Sequence, residues 1–208
     1  MPQAPVGDFP LFPLGIVALP SESVPLHVFE DRYRTMIQEC LDGEREFGIV
    51  WLSEEELKPV GCACEIERVL EHMDDGRLTI LVRGTRAFRL LRRQDGLPYP
   101  AGVVEFLSEP EEAPDGELAR DAHALYADLV EQATDRTLSE EELDAMDAYG
   151  MAATVDFGTD AKQELLELRS ENARLRLLTL LFRAAIKQIE LVERAQLRAQ
   201  SNGKVHLS

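Results

Sequence analysis

The sequence predicts an α+β protein: a strand-rich first half with one early helix, then a helical second half that ends in a long helix. Three observations carry this reading. Between residues 47 and 105, apolar residues recur with period two, interrupted by turn signals. After Pro110, the apolar spacing becomes three and four. At residues 26–33, L-H-V-F-E-D-R-Y, the period switches early from extended to helical. One early helix followed by a run of antiparallel strands suits a small barrel, where closure protects the sheet edges.

Residues 1–8 read as a loose lead. Phe9–Pro20 reads as strand, Ser21–Ser23 as a loop and Val24–Phe29 as a second extended piece. Pro10, Pro13, Pro20 and Pro25 exclude helix there and favour edges and turns. Asp31–Leu41 should be helical, because Tyr33, Met36, Ile37, Cys40 and Leu41 form one stripe and Gly43 follows as a stop. Phe47–Trp51 is a short apolar run that reads as a buried strand, with Trp51 in the core, and Ser53–Lys58 is an acidic connection. Val60, Cys62, Cys64 and Ile66 should share one strand face. Asp74-Asp75-Gly76-Arg77 marks a hairpin, and Leu78, Ile80 and Val82 continue the alternation on the return strand. Gly84 interrupts it, which points to a bulge or a close backbone approach. Phe88 and Leu90 resume, Gln94-Asp95-Gly96 turns, and Tyr99, Ala101, Val103 and Glu105 form a last strand.

The expected core of residues 9–107 comprises Leu14, Leu26, Phe29, Ile37, Ile49, Cys64, Ile66, Ile80 and Val82. A second subdomain should span 115–199. Its first helix covers Leu118–Gln132, with Leu118, Ala122, Leu125 and Leu129 as its stripe. Ser139 with Glu142, and Asp160 with Gln163, have capping-box spacing and should open two more helices. Ser170 should open the last one. There Leu175, Leu178, Phe182, Ala185, Ile189 and Val192 follow a 3–4 seam. This seam reads either as a docking face within the chain or as an interface between chains. It barely exceeds two heptads, so intrachain packing and a monomer are favoured. From Gln196 the chain is polar.

Charge and cysteine usage restrict the function classes. The 208 residues carry a net charge of −17, which argues against a general nucleic-acid binder and against anionic membrane surfaces. Residues 108–148 hold 14 Asp+Glu against 2 Lys+Arg, a solvated acidic block. No segment has the length of an apolar membrane span, and the N-terminus, with Asp8 and several prolines, does not resemble a signal peptide. Three cysteines give no disulfide framework, and a cytoplasmic protein is expected.

No nucleophile, zincin or phosphate-loop motif is present; Gly203-Lys204 is an isolated fragment in the polar tail. Cys62 and Cys64 form a C-x-C that could suggest metal. Cys40 and His27, His72, His123 and His206 supply no matching ligand spacing, so the pair reads as small core residues. A Cys40–His27 catalytic pair is disfavoured because Cys40 lies on an apolar helix face. No catalytic, metal or cofactor site is therefore expected. Arg83, Arg86, Arg89, Arg92 and Arg93 form a local basic cluster. It could meet phosphates or an acidic partner, although arginines offsetting nearby carboxylates are the plainer reading. Arg86 is an exception. Following Gly84, its side chain should be re-aimed inward by a bulge and should pair with Glu30 at the helix start. Arg32, two residues from Glu30, should point to another helix face.

Several of these stretches resemble one family. P-L-F-P-L, then P-L-H-V-F-E-D-R-Y, is similar to the start of the substrate-binding N-terminal domain of the Lon protease family, P-L-x-P-L and P-L-x-I-F-E-P-R-Y; Asp31 stands where that family often has proline. The resemblance continues in order through Phe47-Gly48-Ile49-Val50, Val60–Ile66, Asp75-Gly76-Arg77, Val82–Phe88, Leu97–Ala101 with Val103-Val104-Glu105, and Lys162–Glu167. It implies a PUA-like pseudo-barrel followed by a helical bundle. It also implies a stand-alone, non-enzymatic domain that binds unfolded or client proteins and peptides, as a partner of a protease or chaperone, since the chain ends before any ATPase or peptidase could begin. Binding is expected in a groove between barrel and helices. Leu26, Phe29, Glu30, Arg32, Tyr33, Gly84 and Arg86 are the motif residues so marked. The alternative is RNA binding, as in other PUA-like barrels, through the Arg83–Arg93 cluster.

Overall fold

The computed structural model describes residues 4–202, except residues 55 and 114, with side chains in the last helix described up to residue 196. Gly203, Lys204 and His206, at the end of the stretch read as a polar tail, lie outside the described residues.

Six strands form one sheet: β1 (Val6–Leu14), β2 (Ser23–Val28), β3 (Phe47–Leu52), β4 (Leu57–His72), β5 (Leu78–Gln94) and β6 (Ala101–Phe106). Helix α1 (Asp31–Asp42) separates β2 from β3. The strand order is β2-β5-β4-β3-β1-β6, and β5 also pairs with β6. Five strands therefore close a PUA-like barrel, with β2 added outside the ring on β5. Every pairing is antiparallel except β1 with β3, which is parallel. The run of antiparallel strands expected after the early helix is β3 to β6, and the parallel pair lies outside that run. Parallel neighbours require a crossover, and β2 with α1 supplies it.

The apolar opening F-P-L-F is buried on both faces. Phe9 and Leu11 enter the barrel core with Val50, Ala63, Phe88 and Val104. Phe9 meets Phe88 edge-on at 5.4 Å. Phe12 instead stacks on Tyr33 of α1 at 4.2 Å. Tyr33, Met36, Ile37 and Cys40 form the buried stripe of that helix, as their spacing predicts.

Three prolines explain why the β1–β6 ladder stops. Its last bond runs from the Leu11 amide to the Pro100 carbonyl, 2.8 Å. Pro100 has no N–H to return, and neither Pro13 nor Pro98 can extend the pairing. At the sheet's outer side, β2 is an edge strand carrying Pro25. β4 has irregular register against β5 between Ile66 and Arg68 and between Val69 and Glu71.

The core expectation holds for Leu26, Ile37, Ile49, Cys64, Ile80 and Val82, all buried. It fails for Phe29, which is 60% exposed. Strand alternation gives the reason: Leu26 and Val28 face inward, so Phe29 follows on the outer side. Leu14 is half-buried at the end of β1, and Ile66 is half-buried just beyond Cys64, the last β4 residue paired with β3. Trp51 is likewise only half-buried, with the Lys58 ammonium 5.9 Å from its ring centre.

The second half contains α2 (Gly116–Thr134), α3 (Glu140–Asp144), α4 (Ala148–Ala152), α5 (Gly158–Glu167) and α6 (Glu171–Asn202). The chain divides into two compact units. One runs to Glu112 and includes Tyr149–Ser170; the other comprises Ala113–Ala148 and the chain from Glu171. In the first unit, Gln163 of α5 donates to the Val60 carbonyl at 3.1 Å, and Lys162 pairs with Glu22. These contacts give the K-Q-E-L-L-E stretch a structural role, holding α5 to the barrel. Asp160 does not cap α5. The helix starts at Gly158, whose positive φ of 77° turns the chain, while Asp156 accepts the Gly158 amide.

In the second unit, Asp115 caps α2 and Ser139 makes the expected capping box with Glu142. Ala122, Tyr126 and Leu129 of α2 are buried, and Leu175, Leu178, Phe182 and Ile186 are buried on α6. Tyr126 lies 5.6 Å from Phe182 between ring centres. The seam follows helical spacing through Ile186 rather than Ala185, and Val192 at its far end is exposed. No helix among the described residues is long and apolar enough to cross a membrane.

Gly84 shows both features read from its sequence position. The register skips Thr85, a bulge, between the Ala63–Arg86 and Cys64–Gly84 pairs. A Cβ on Gly84 would lie 2.1 Å from the Leu19 carbonyl oxygen. The Gly84 carbonyl accepts from Ser21 and its amide donates to Glu22, so the backbone cannot retreat freely. Gly84→Ala is expected to destabilise the first unit by about 1–3 kcal/mol, a cost of overpacking. Urea unfolding measures it, and an unchanged midpoint would show that the β1–β2 loop yields.

Candidate functional site

A cavity of the first unit lies at the switch from β2 to α1. Its volume is about 670 Å³. Three stretches line it: Leu11–Leu14 at the end of β1, the β2–α1 switch with His27, Phe29, Glu30, Arg32 and Tyr33, and the β5–β6 connection from Arg93 to Ala101. Leu52 and Leu57 complete the apolar side. All these residues belong to the first unit.

Phe29 stands exposed at this groove, its ring 6.1 Å from that of His27. Leu52 and Leu97 are also exposed, at 50% and 38%. Three large apolar side chains in solvent beside one concavity are the surface expected of a binding groove. Its charges are nearly balanced. Glu30 and Arg32 pair with each other at 2.8 Å, and Arg93 and Asp95 add one of each sign.

Of the residues marked by sequence, Phe29, Glu30, Arg32 and Tyr33 come together at the groove. Leu26 is a core residue of β2. Gly84 fits against Leu19, and neither it nor Arg86 lines the cavity. The expected Glu30–Arg86 pair is absent. Arg86 binds Glu46 at 2.7 Å, and its guanidinium lies 3.7 Å from the Phe106 ring centre. Glu30 takes Arg32, the partner the sequence argument rejected. Glu30 is the N-cap of α1, with extended backbone (ψ 136°), so helix-face spacing does not apply to it. Nor does the bulge turn Arg86 inward, since its side chain is 45% exposed.

The other arginines of β5 lie on the surface, and the register sets Arg83 opposite Glu65 and Arg89 opposite Glu105. Cys40, Cys62 and Cys64 are buried thiols. Burial pushes Cys40 up to about 11 and Cys62 well above the ordinary thiol range, so neither is a ready nucleophile. Among the described residues, no group of three His, Cys, Asp or Glu could hold a metal ion.

The match to known proteins decides the family. A family model, the substrate-binding domain of ATP-dependent protease La (LON), matches residues 8–183. The chain belongs to the Lon substrate-binding domain family. A Lon N-terminal domain protein from Xanthomonas campestris has a similar structure, with TM-score 0.64 and 26% identity over 82% of this chain and 95% of that one. The N-terminal domain of a Mycobacterium avium complex Lon protease gives TM-score 0.63 at 22% identity, covering 84% of this chain and 97% of that one, and shows the shared fold. The Lon protease of Parabacteroides distasonis is 29% identical over 114 residues, 50% of this chain but only 14% of that protease.

Sequence reasoning missed two features of this Lon-family domain. Glu46 is the partner of Arg86, and nothing in its spacing marked it. Tyr99, read as a strand residue, is buried beside the groove, and its hydroxyl donates to Glu39 of α1 at 2.5 Å. Burial, and then the Glu39 carboxylate, push the Tyr99 phenol from 10 up to about 12.

Two measurements follow from this geometry. A double-mutant cycle on Glu46 and Arg86 should give a coupling of about 0.5–1 kcal/mol, the size of a partly exposed pair, and one on Glu30 and Arg86 should give none. The reverse ranking would restore the pairing read from sequence. In absorbance titration at 295 nm, Tyr99 should ionise near pH 12 in the folded protein. Because the folded state holds this proton more tightly, its stabilising contribution is complete below the free phenol's pKa of 10. It is lost as pH rises through 12, and an ordinary tyrosine curve in native protein would contradict the buried bond.

Proposed function

We propose that this domain is a non-catalytic recognition module that binds unfolded client proteins or peptides in the groove at the β2–α1 switch. The observation that carries the reading is Phe29, a large aromatic side chain left 60% exposed at the rim of an apolar concavity. Truncating an exposed aromatic costs little stability, so its place there calls for a partner. The near-neutral rim suits apolar segments of many sequences. An apolar stretch exposed in an unfolded chain would fill the concavity, with aromatic contacts as anchors. The same reading supports service to a protease or chaperone that handles such chains, in a cytoplasmic setting. The RNA alternative gains no support, since glutamates stand across from two of the β5 arginines.

Fluorescein-labelled, reduced and carboxymethylated α-lactalbumin is a suitable unfolded probe. Phe29→Ser should weaken its binding by about 2 kcal/mol, the size of an aromatic anchor, with the melting temperature unchanged. Equal binding by wild type and variant would sink the groove reading. Retention of RNA at moderate salt, competing with the probe, would revive the alternative.

A further inference from the structure

The groove has one wall that its own backbone bonds do not hold. This wall is the connection between β5 and β6. At its start, the Gln94 side chain accepts the Asp8 amide at 2.7 Å. At its end, the Pro100 carbonyl accepts the Leu11 amide. Between them, Asp95, Gly96, Leu97 and Pro98 are all exposed, and none makes a hydrogen bond or ion pair among the described residues. Tyr99 is the exception in this stretch. Its ring is buried, and its hydroxyl reaches Glu39, which also lies 3.8 Å from Arg45.

Glu39 belongs to the same helix that begins with the Glu30, Arg32 and Tyr33 region of the groove. The Tyr99–Glu39 hydrogen bond, with Arg45 beside it, thus links the two stretches, far apart in sequence, between which an occupant would lie. Pro98 and Pro100 flank Tyr99, fixing their own φ and restricting the residues before them to extended backbone. A stiff segment moves as a piece when the side chain that anchors it moves.

We infer that Tyr99 and Glu39 form a latch that sets the position of the Asp95–Pro98 wall, making Tyr99 a positioning residue for polypeptide binding. The inference rests on the groove reading above. The hydroxyl stays protonated, and so remains a donor, throughout the neutral range. Breaking the bond frees the wall, and the cost appears at binding, when the wall has to be ordered again.

The test pairs affinity with a direct measure of wall motion. The three native cysteines are buried, so a nitroxide on Leu97→Cys reports on the wall alone. Tyr99→Phe is expected to narrow the label's spectrum and to weaken binding of the unfolded lactalbumin probe roughly tenfold to a hundredfold, the range of a hydrogen bond to a charged group. Glu39→Leu should do the same, and the double variant should lose no more than either single one. Losses that multiply in the double variant would overturn the latch, as would Tyr99→Phe with unchanged mobility or unchanged affinity while Phe29→Ser still weakens binding. If Phe29→Ser has no effect, the groove itself is wrong and the latch's role in binding falls with it. A merely structural role would lower the melting temperature of Tyr99→Phe without changing the probe affinity of the folded protein.

Discussion

Strand β5 is the constraint on which the first unit depends. Its 17 residues pair with β4 along most of their length. On the other side, residues 78–83 pair with β2, and residues 88–94 pair with β6. The strand therefore changes partner in its middle, at Gly84–Ala87. A regular strand could not serve both neighbours, because β2 lies outside the ring and β6 closes it. The bulge at Thr85 gives the bend, and Gly84 gives the clearance for the β1–β2 loop to cross. Thr85 then binds the Glu46 carboxylate at 2.6 Å and the Ala63 carbonyl at 3.1 Å, holding the bulged residue in place. Arg86 joins the same carboxylate from the next position. The V-R-G-T-R stretch is thus the corner of the barrel.

Local signals made much of this fold legible in the sequence. The stripe of α1, the Asp74–Arg77 hairpin, the capping box at Ser139 and the irregularity at Gly84 each depend on a few neighbouring residues and were read from them. Features that failed depend on register or on distant partners. Phe29 reads as a core residue, yet strict alternation from Leu26 already points it outward. The parallel β1–β3 pair and the Glu46–Arg86 contact are set by tertiary packing, which periodicity does not encode. At the groove, the sequence marked the switch residues 29–33. The opposite wall stayed hidden because Tyr99 reads as the first residue of the last strand, which instead begins at Ala101.

Proline placement opens the groove. The β1–β6 ladder could otherwise continue past Leu11, filling the space beside Phe12 and Leu14 with a paired strand. Pro13, Pro98 and Pro100 remove the donors that such pairing would need. The chain between β5 and β6 then departs from the sheet, and a concavity remains between it and the start of α1. The same residues that interrupt regular structure also stiffen what they leave behind, so the opening need not collapse. Apolar β1 residues thus have two destinations: Phe9 and Leu11 fill the barrel, while Phe12, Pro13 and Leu14 border the cavity.

The edges of the sheet bear on how such a domain survives its surroundings. A row of free N–H and C=O groups is a template on which another extended chain can grow. Here the outermost strand, β2, carries Pro25 in its middle, and the part of β4 that runs beyond β3 is twice thrown out of register. Both interrupt the regular row of groups that a foreign strand would match. Backbone pairing with a neighbouring chain, which propagates, is thereby disfavoured at these edges. A molecule built this way can meet exposed polypeptide repeatedly without seeding a shared sheet.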